Sequence, residues 1–292
     1  MDNTEMKTIQ WFPGHMAKTR RLIKANLSLV DAIAEILDAR TPLSSRNPEM
    51  DSMTAGKPRI VLLNKCDVAD DKATQIWINY FKNKGIAAIP VDCKSGKGLK
   101  NFLPTLKTKV LKELLEKRES HGMKGAAIRL MIVGIPNVGK SSFINKMAGS
   151  KRAKVEDRPG VTRTKQWVKL ENNVELLDMP GVLWPKFEDQ EIAVRLAFTG
   201  AISDDILDIE TLAMKLLSYL SEFYPDSLVQ RYKIEISSED TGLELLEKIG
   251  KKRGMVISGG EINTERAAIT VLDEYRSGKL GRITLELPPD RE

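Results

Sequence analysis

Apolar residues recur along the first two-thirds of this chain in short dense runs that end in polar residues, with helix-period stretches between them. The runs VDAIAEILDAR (30–40), RIVLLNKCD (59–67) and IAAIPVDC (86–93) read as strands, since a short apolar, β-branched run closed by polar residues suits a buried strand. Segments 71–83 and 99–116 carry apolar residues at helical spacing and read as helices between or after them. KELLEKRESHGMKG (112–125) reads as a helix end running into a charged linker. A fourth run, AIRLMIVG (127–134), opens into a Gly-rich turn and a helix, SSFINKMAG (141–149). QWVKL (166–170) and NVELLDMPG (173–181) alternate as a hairpin does, with Glu171, Asn172 and Asn173 at the turn. Past Trp184-Pro185 the pattern turns helical, near 188–200, 208–222, 240–250 and 262–277, and RITLEL reads as a short closing strand.

Strands alternating with helices over 26–185 predict an α/β fold: a mostly parallel sheet with helices on both faces, followed by a small helical domain. Composition adds only bounds. The 292 residues are 41% hydrophobic and 29% charged, which suits about two globular domains. Two cysteines and two histidines give neither a disulfide framework nor a zinc-type spacing. No run reaches the roughly 18 apolar residues of a membrane span. The N-terminus lacks the apolar core of a secretory signal, so the expected setting is cytoplasmic, with no membrane partner.

Charge is divided unevenly. The net of +6 comes from +12 over residues 1–200 and −6 over 201–292. A basic first part predicts a polyanionic partner for that part.

The turn after the fourth strand is the most specific chemical signal. Gly134-Ile135-Pro136-Asn137-Val138-Gly139-Lys140-Ser141 fits G-x-x-x-x-G-K-[ST], and it lies between a strand and a helix as the motif requires. Backbone amides of such a loop wrap phosphates at a helix N-terminus. Lys140 is expected to reach the β and γ phosphates, and Ser141 to ligate Mg2+. Asn137, Val138, Gly139 and Ser142 complete the expected nucleotide contacts.

Asn64-Lys65-Cys66-Asp67 ends the second run. In this N-K-x-D pattern, the carboxylate accepts from the ring N–H and exocyclic amine of guanine. Adenine presents a lone pair there, and sites of this kind discriminate by roughly 10⁴–10⁵. Lys65 is expected to lie along the base, and Asn64 to tie this loop to the phosphate loop. Cys93, Lys94 and Ser95, in DCKSGKG (92–98), stand where a second guanine loop is expected. Asp178-Met179-Pro180-Gly181 fits D-x-x-G, with Asp178 holding Mg2+ through water and the Gly181 amide sensing the γ phosphate. Thr162 in RPGVTRT is the candidate switch threonine on Mg2+, ahead of Thr164. GTP and GDP are thus the expected ligands.

The motifs stand out of their usual order. Phosphate loop, D-x-x-G, N-K-x-D and second guanine loop is the common sequence; here the last two come first. The same cycle has been opened between D-x-x-G and N-K-x-D, which is a circular permutation. The expected divisions are a basic, aromatic N-terminal segment (1–25), a permuted GTPase domain (26–200) and a mostly helical C-terminal domain (201–292).

This order, together with IQWFPGHMAK (9–18), DAR at 38–40, LLDMPGVLWPKFED (176–189), IGKKRG (249–254) and GKLGR (278–282), resembles the circularly permuted bacterial ribosome-assembly GTPases. The resemblance runs along nearly the whole chain. It implies an assembly factor that binds a large ribosomal subunit precursor, with hydrolysis stimulated by ribosomal particles. It also implies rRNA contact by the C-terminal helices, for which Lys251, Lys252 and Arg253 offer a local basic patch in an otherwise acidic region.

Hydrolysis poses a problem that the residues state openly. Many small GTPases place Gln directly after D-x-x-G to orient water; here Val182 and Leu183 follow. His15, in a Gly-, Pro- and aromatic-rich stretch, is the candidate catalytic group, since an unperturbed imidazole is mostly neutral near pH 7. The resemblance implies the same role for it. P-N-V-G-K-S (136–141) also resembles the loop of potassium-activated GTPases, where Asn137 would help to hold K+. Arg40 and Arg163 are weaker candidates for an arginine finger. Two function classes follow: a GTP-hydrolysing assembly enzyme, or a guanine-nucleotide-gated RNA-binding switch whose hydrolysis is incidental. The sequence is silent on oligomeric state.

Overall fold

A computed structural model of the chain describes residues 9, 15–54, 56–149, 166–184 and 187–289, without the side chains of 15 and 16. Two compact units are formed. The described residues between 11 and 186 join 284–289 in one, and Ile9 joins 187–283 in the other.

The first unit is built on a sheet. Its elements are α1 (His15–Asn26), β1 (Ala32–Asp38), α2 (Met50–Thr54), β2 (Arg59–Asn64), α3 (Asp71–Asn83), β3 (Ala87–Pro90), α4 (Phe102–Thr105), α5 (Lys112–Ser120), β4 (Ile128–Val133), α6 (Lys140–Met147), β5 (Gln166–Leu170) and β6 (Val174–Asp178). Six strands lie in the order β3-β2-β1-β4-β6-β5, all pairs parallel except β5 with β6. Successive side chains of a strand point to opposite faces. All seven residues of β1 are buried, so both faces of the sheet centre are covered, as the sequence predicts for a parallel sheet.

Local chemistry explains most boundaries. Asp70 caps α3 by accepting from the Ala73 amide at 2.7 Å. From α3, Trp77 and Phe81 enter the core with Leu37, Val61 and Leu63 of the sheet. The β5–β6 turn places Asn172 at φ 61° and Asn173 at φ 55°, a left-handed backbone that asparagine tolerates better than most residues. The stretch 99–116, expected as one helix, is broken instead. A 3₁₀ turn (Leu99–Asn101) leads into α4, a π turn follows (Leu106–Val110), and α5 begins at Lys112. Pro104 lacks the donor a continuous ladder needs there. The ladder resumes one residue wider, with the Leu111 amide donating to Leu106 O at 2.9 Å, and both leucines are buried.

RITLEL is not a strand. Residues 284–287 instead run as a strap against the sheet unit. The Leu285 amide donates to Arg40 O at 2.8 Å, Trp77 Nε1 donates to Glu286 O at 3.0 Å, and Thr284 Oγ1 accepts from the Asp70 amide at 3.1 Å. The Glu286 carboxylate accepts from the amides of Leu43 and Ser44 and from the Ser44 hydroxyl.

The second unit is helical: α7 (Gln190–Phe198), α8 (Ile209–Phe223), α9 (Pro225–Tyr232), α10 (Gly242–Lys252) and α11 (Thr264–Arg276). Asp208 caps α8, Thr241 and Glu244 form a capping box on α10, and Asn263 caps α11. Gly242 lets α10 start against α8, since a Cβ there would lie 2.4 Å from Met214 O. Arg276 closes the C-terminal end of α7 by donating to Ala197 O and Phe198 O while pairing with Asp204. Ile9 is buried in this unit, its amide donating to Gln190 Oε1 at 2.8 Å.

Candidate nucleotide site

The site forms at the C-terminal ends of the parallel strands, where open α/β sheets place their ligands. β4 ends in the phosphate loop, β6 in Asp178, β2 in Asn64, and β3 leads to Asp92.

Phosphate-loop geometry requires its glycines. Gly134 has φ 152°, and a Cβ there would sit 2.6 Å from Ile36 O. Gly139 has φ 100°, and a Cβ there would sit 2.2 Å from Asn64 Nδ2. Asn137, half-buried, also takes the left-handed conformation at φ 59°. The loop delivers the chain into α6, whose first turn carries Lys140, Ser141 and Ser142 and whose N-terminal amides favour an anion. The Val138 side chain is buried.

Lys140 is buried, and its Nζ donates to Gly134 O at 3.1 Å and Ile135 O at 2.8 Å. Burial lowers its pKa to about 8, against the opposing pull of the Asp178 charge. Asp178 is fully buried, and neither carboxylate oxygen has a hydrogen-bond partner among the described residues. Burial raises its pKa to about 6, with Lys140 and then the Gln166 side chain pulling the other way. A buried carboxylate beside a phosphate loop, with no hydrogen bond of ordinary geometry, suits a hydrated divalent cation, because burying its charge is costly. Gly181 lies against the same loop: a Cβ there would be 2.8 Å from Pro136 N and 3.1 Å from Lys140 Nζ. The Val182 amide donates to Gly134 O at 3.3 Å, and the side chains of Val182 and Leu183 are buried.

Asn64 joins the loops. Its Nδ2 donates to Val138 O at 2.6 Å and its Oδ1 accepts from the Cys93 amide at 2.9 Å. Lys65 follows at φ 62°, with its Nζ 3.0 Å from Asp38 Oδ2, and Asp67 is exposed. In the next loop, buried Asp92 accepts from the amides of Lys94 at 2.8 Å and Ser95 at 3.1 Å, fixing their backbone while their side chains stay exposed. Cys93 is buried, and burial, then the Asp92 charge, pushes its thiol far above the usual range.

Two features escaped the sequence reading. Asp92 staples its own loop, a role its position before Lys94 and Ser95 foreshadows through the local turn habit of aspartate. Arg40 is not an arginine finger. It is 1% exposed, with its guanidinium on Asp38 at 2.9 Å and 2.8 Å. His15 opens α1, and its side chain lies outside the described residues, as do Trp11, Phe12, Thr162, Arg163 and Thr164. Trp77 and Trp184 are buried. In the helical unit Arg253 lies 5.5 Å from the Tyr232 ring and 3.5 Å from Glu274, and it is exposed together with Lys251 and Lys252.

A phosphate loop, a buried D-x-x-G aspartate and an N-K-x-D loop on one parallel sheet define a P-loop GTPase, here with its motifs in circularly permuted order. A family model described as 50S ribosome-binding GTPase matches residues 129–233. Ribosome biogenesis GTPase A of Bacillus cereus is 49% identical over 282 residues, which is 97% of this chain and 95% of that protein. The protein of that name in Thermotoga maritima is 33% identical over 97% of this chain and 95% of its own length. Among solved structures, a GNP-bound YlqF from T. maritima matches with a TM-score of 0.62 and 31% identity, covering 94% of this chain and all of that one. A GDP-bound TM YlqF matches at 0.63 and 31%, over 92% and 100%. The chain belongs to the ribosome biogenesis GTPase A family. No helix among the described residues is long and apolar enough to cross a membrane.

Proposed function

We propose that this GTPase is an assembly factor for the large ribosomal subunit, working in the cytoplasm, that contacts rRNA on the subunit precursor and hydrolyses GTP when it meets ribosomal particles. The names of the relatives, ribosome biogenesis GTPase A and 50S ribosome-binding GTPase, support the partner. The basic balance of residues 1–200 suits rRNA.

The observation that carries the nucleotide reading is the pair of bonds from Asn64 to Val138 and Cys93, which draws the base side and the phosphate side into one site. In this reading Asp67 accepts from guanine, and Lys65 covers one face of the base. Cys93, Lys94 and Ser95 close the base side through their backbone. Lys140 exchanges its two loop carbonyls for phosphate oxygens, with the amides of Asn137 to Ser142 around them. Ser141, Thr162 and, through water, Asp178 would hold Mg2+, and Asn137 would hold K+. Bound cations offset the charge that gathers on the phosphates during transfer.

Val182 supports dependence on a partner. It is buried and bonded through its amide, so the residue after D-x-x-G offers no side chain to orient water. That task falls to His15, or to a polar group that the ribosomal particle brings or orders. The test is GTP turnover with and without large-subunit precursor particles, in K+ and in Na+. Faster turnover with particles is expected, and faster in K+ than in Na+. Equal rates with and without particles would leave a nucleotide-gated RNA-binding switch.

A further inference from the structure

We propose that Asp38 is a positioning residue for guanine recognition, acting through Lys65; this rests on reading Asn64-Lys65-Cys66-Asp67 as the base loop. Asp38 and Asn64 are register partners at the ends of β1 and β2, so the last residue of one strand stands beside the start of the base loop. Asp38 is 2% exposed. Its Oδ1 accepts from the amide and the Nε of Arg40 at 3.0 Å and 2.9 Å, and its Oδ2 accepts from the second guanidinium nitrogen at 2.8 Å. The Asp38 amide in turn donates to Ser45 Oγ at 2.9 Å. Both oxygens of that carboxylate are thus held by Arg40, and Lys65 Nζ lies 3.0 Å from Oδ2.

Lys65 is the more exposed partner. Its side chain keeps 25% of its exposure, and its backbone sits in the left-handed region. That backbone turn brings the side chain to the end of β1. A lysine held at its root and at its ammonium has little rotamer freedom left, so its methylene stem forms a standing apolar strip. A base stacking on this strip does not have to order it, which is preorganisation of the kind that improves affinity. Arg40 extends the support outward, because its carbonyl accepts from the Leu285 amide of the C-terminal strap at 2.8 Å.

The test is a double-mutant cycle on the full chain, measuring GDP affinity by calorimetry for Asp38→Asn, Lys65→Met and the pair. Each single change is expected to weaken GDP about tenfold, and the pair no more than either alone. Losses that multiply, or no loss from Asp38→Asn, would overturn the proposal and leave Asp38 as a structural neighbour. No loss from Lys65→Met would overturn it as well, whereas no loss from Asp67→Ala would overturn the base-loop reading itself. Where Asp38→Asn does not fold, the wild-type chain still decides. Acylation of Lys65 without nucleotide, read by peptide mass spectrometry, is expected about tenfold slower than that of exposed Lys97. Equal rates would overturn it.

Discussion

The side-chain amide of Asn64 donates to the carbonyl of Val138 across 74 positions of chain, at 2.6 Å. Its other end takes the Cys93 amide, so one carboxamide sets the spacing of three loops. The Cys66 amide adds a second link, donating to Val91 O at 3.2 Å. In the proposed site, Asn64 sets the distance between the phosphate loop and the base loop.

Replacing it should therefore damage binding more than folding. Asn64→Ala leaves the Val138 carbonyl and the Cys93 amide unpaired, each costing about 1–3 kcal/mol. GDP affinity measured by calorimetry should fall at least tenfold, with the sheet unit still folded by circular dichroism.

Gly139→Ala attacks the same junction from the other side. The added methyl meets Asn64 Nδ2 at 2.2 Å, on a backbone at φ 100° that L side chains avoid. Loss of nucleotide binding with retained secondary structure is expected. Unchanged affinity would mean that the loop has another arrangement in the bound protein.

The strap predicts a stability effect at a distance. Glu286→Ala releases the amides of Leu43 and Ser44, contacts worth about 1–3 kcal/mol together. Urea unfolding should shift to a lower midpoint, with a largely unchanged slope.

A pH dependence follows from Asp38. Burial pushes its carboxyl up, but Arg40 and then Lys65 outweigh burial and hold it well below the usual carboxylate range. A depressed folded pKa adds stability that is present above the unfolded value and lost as pH falls toward the folded one. Removing one partner of such a buried pair costs about 3–5 kcal/mol. The gap in melting temperature between wild type and Asp38→Asn should be full at neutral pH and close below about pH 4. A constant gap would show that the charge contributes nothing.

Much of this site is legible in sequence because its residues close apolar strands. A run such as RIVLL followed by NKCD marks both an element and its end, and β2 stops at Asn64 as that reading expects. Short-range chemistry is legible for the same reason. Long-range partners are not. DAR at 38–40 shows an acid and a base two residues apart, and nothing nearby says that both are buried or that Lys65 joins them. The strap is hidden similarly, since Glu286 meets Leu43 at a separation of 243 residues. The helical pattern does not mark α9, which opens on Pro225, and proline at the first helical position favours a start. The π turn has no sequence signal beyond Pro104.

The strap has a consequence for how the chain comes into being. Protein synthesis proceeds from the N-terminus, and domains begin to fold as they emerge. The main part of the sheet unit is made early, yet Arg40 O and Trp77 Nε1 find their partners only in residues 285 and 286. Everything from 187 to 283 must be translated first. A nascent chain stalled within the helical unit therefore carries a GTPase domain whose last stitch is still missing.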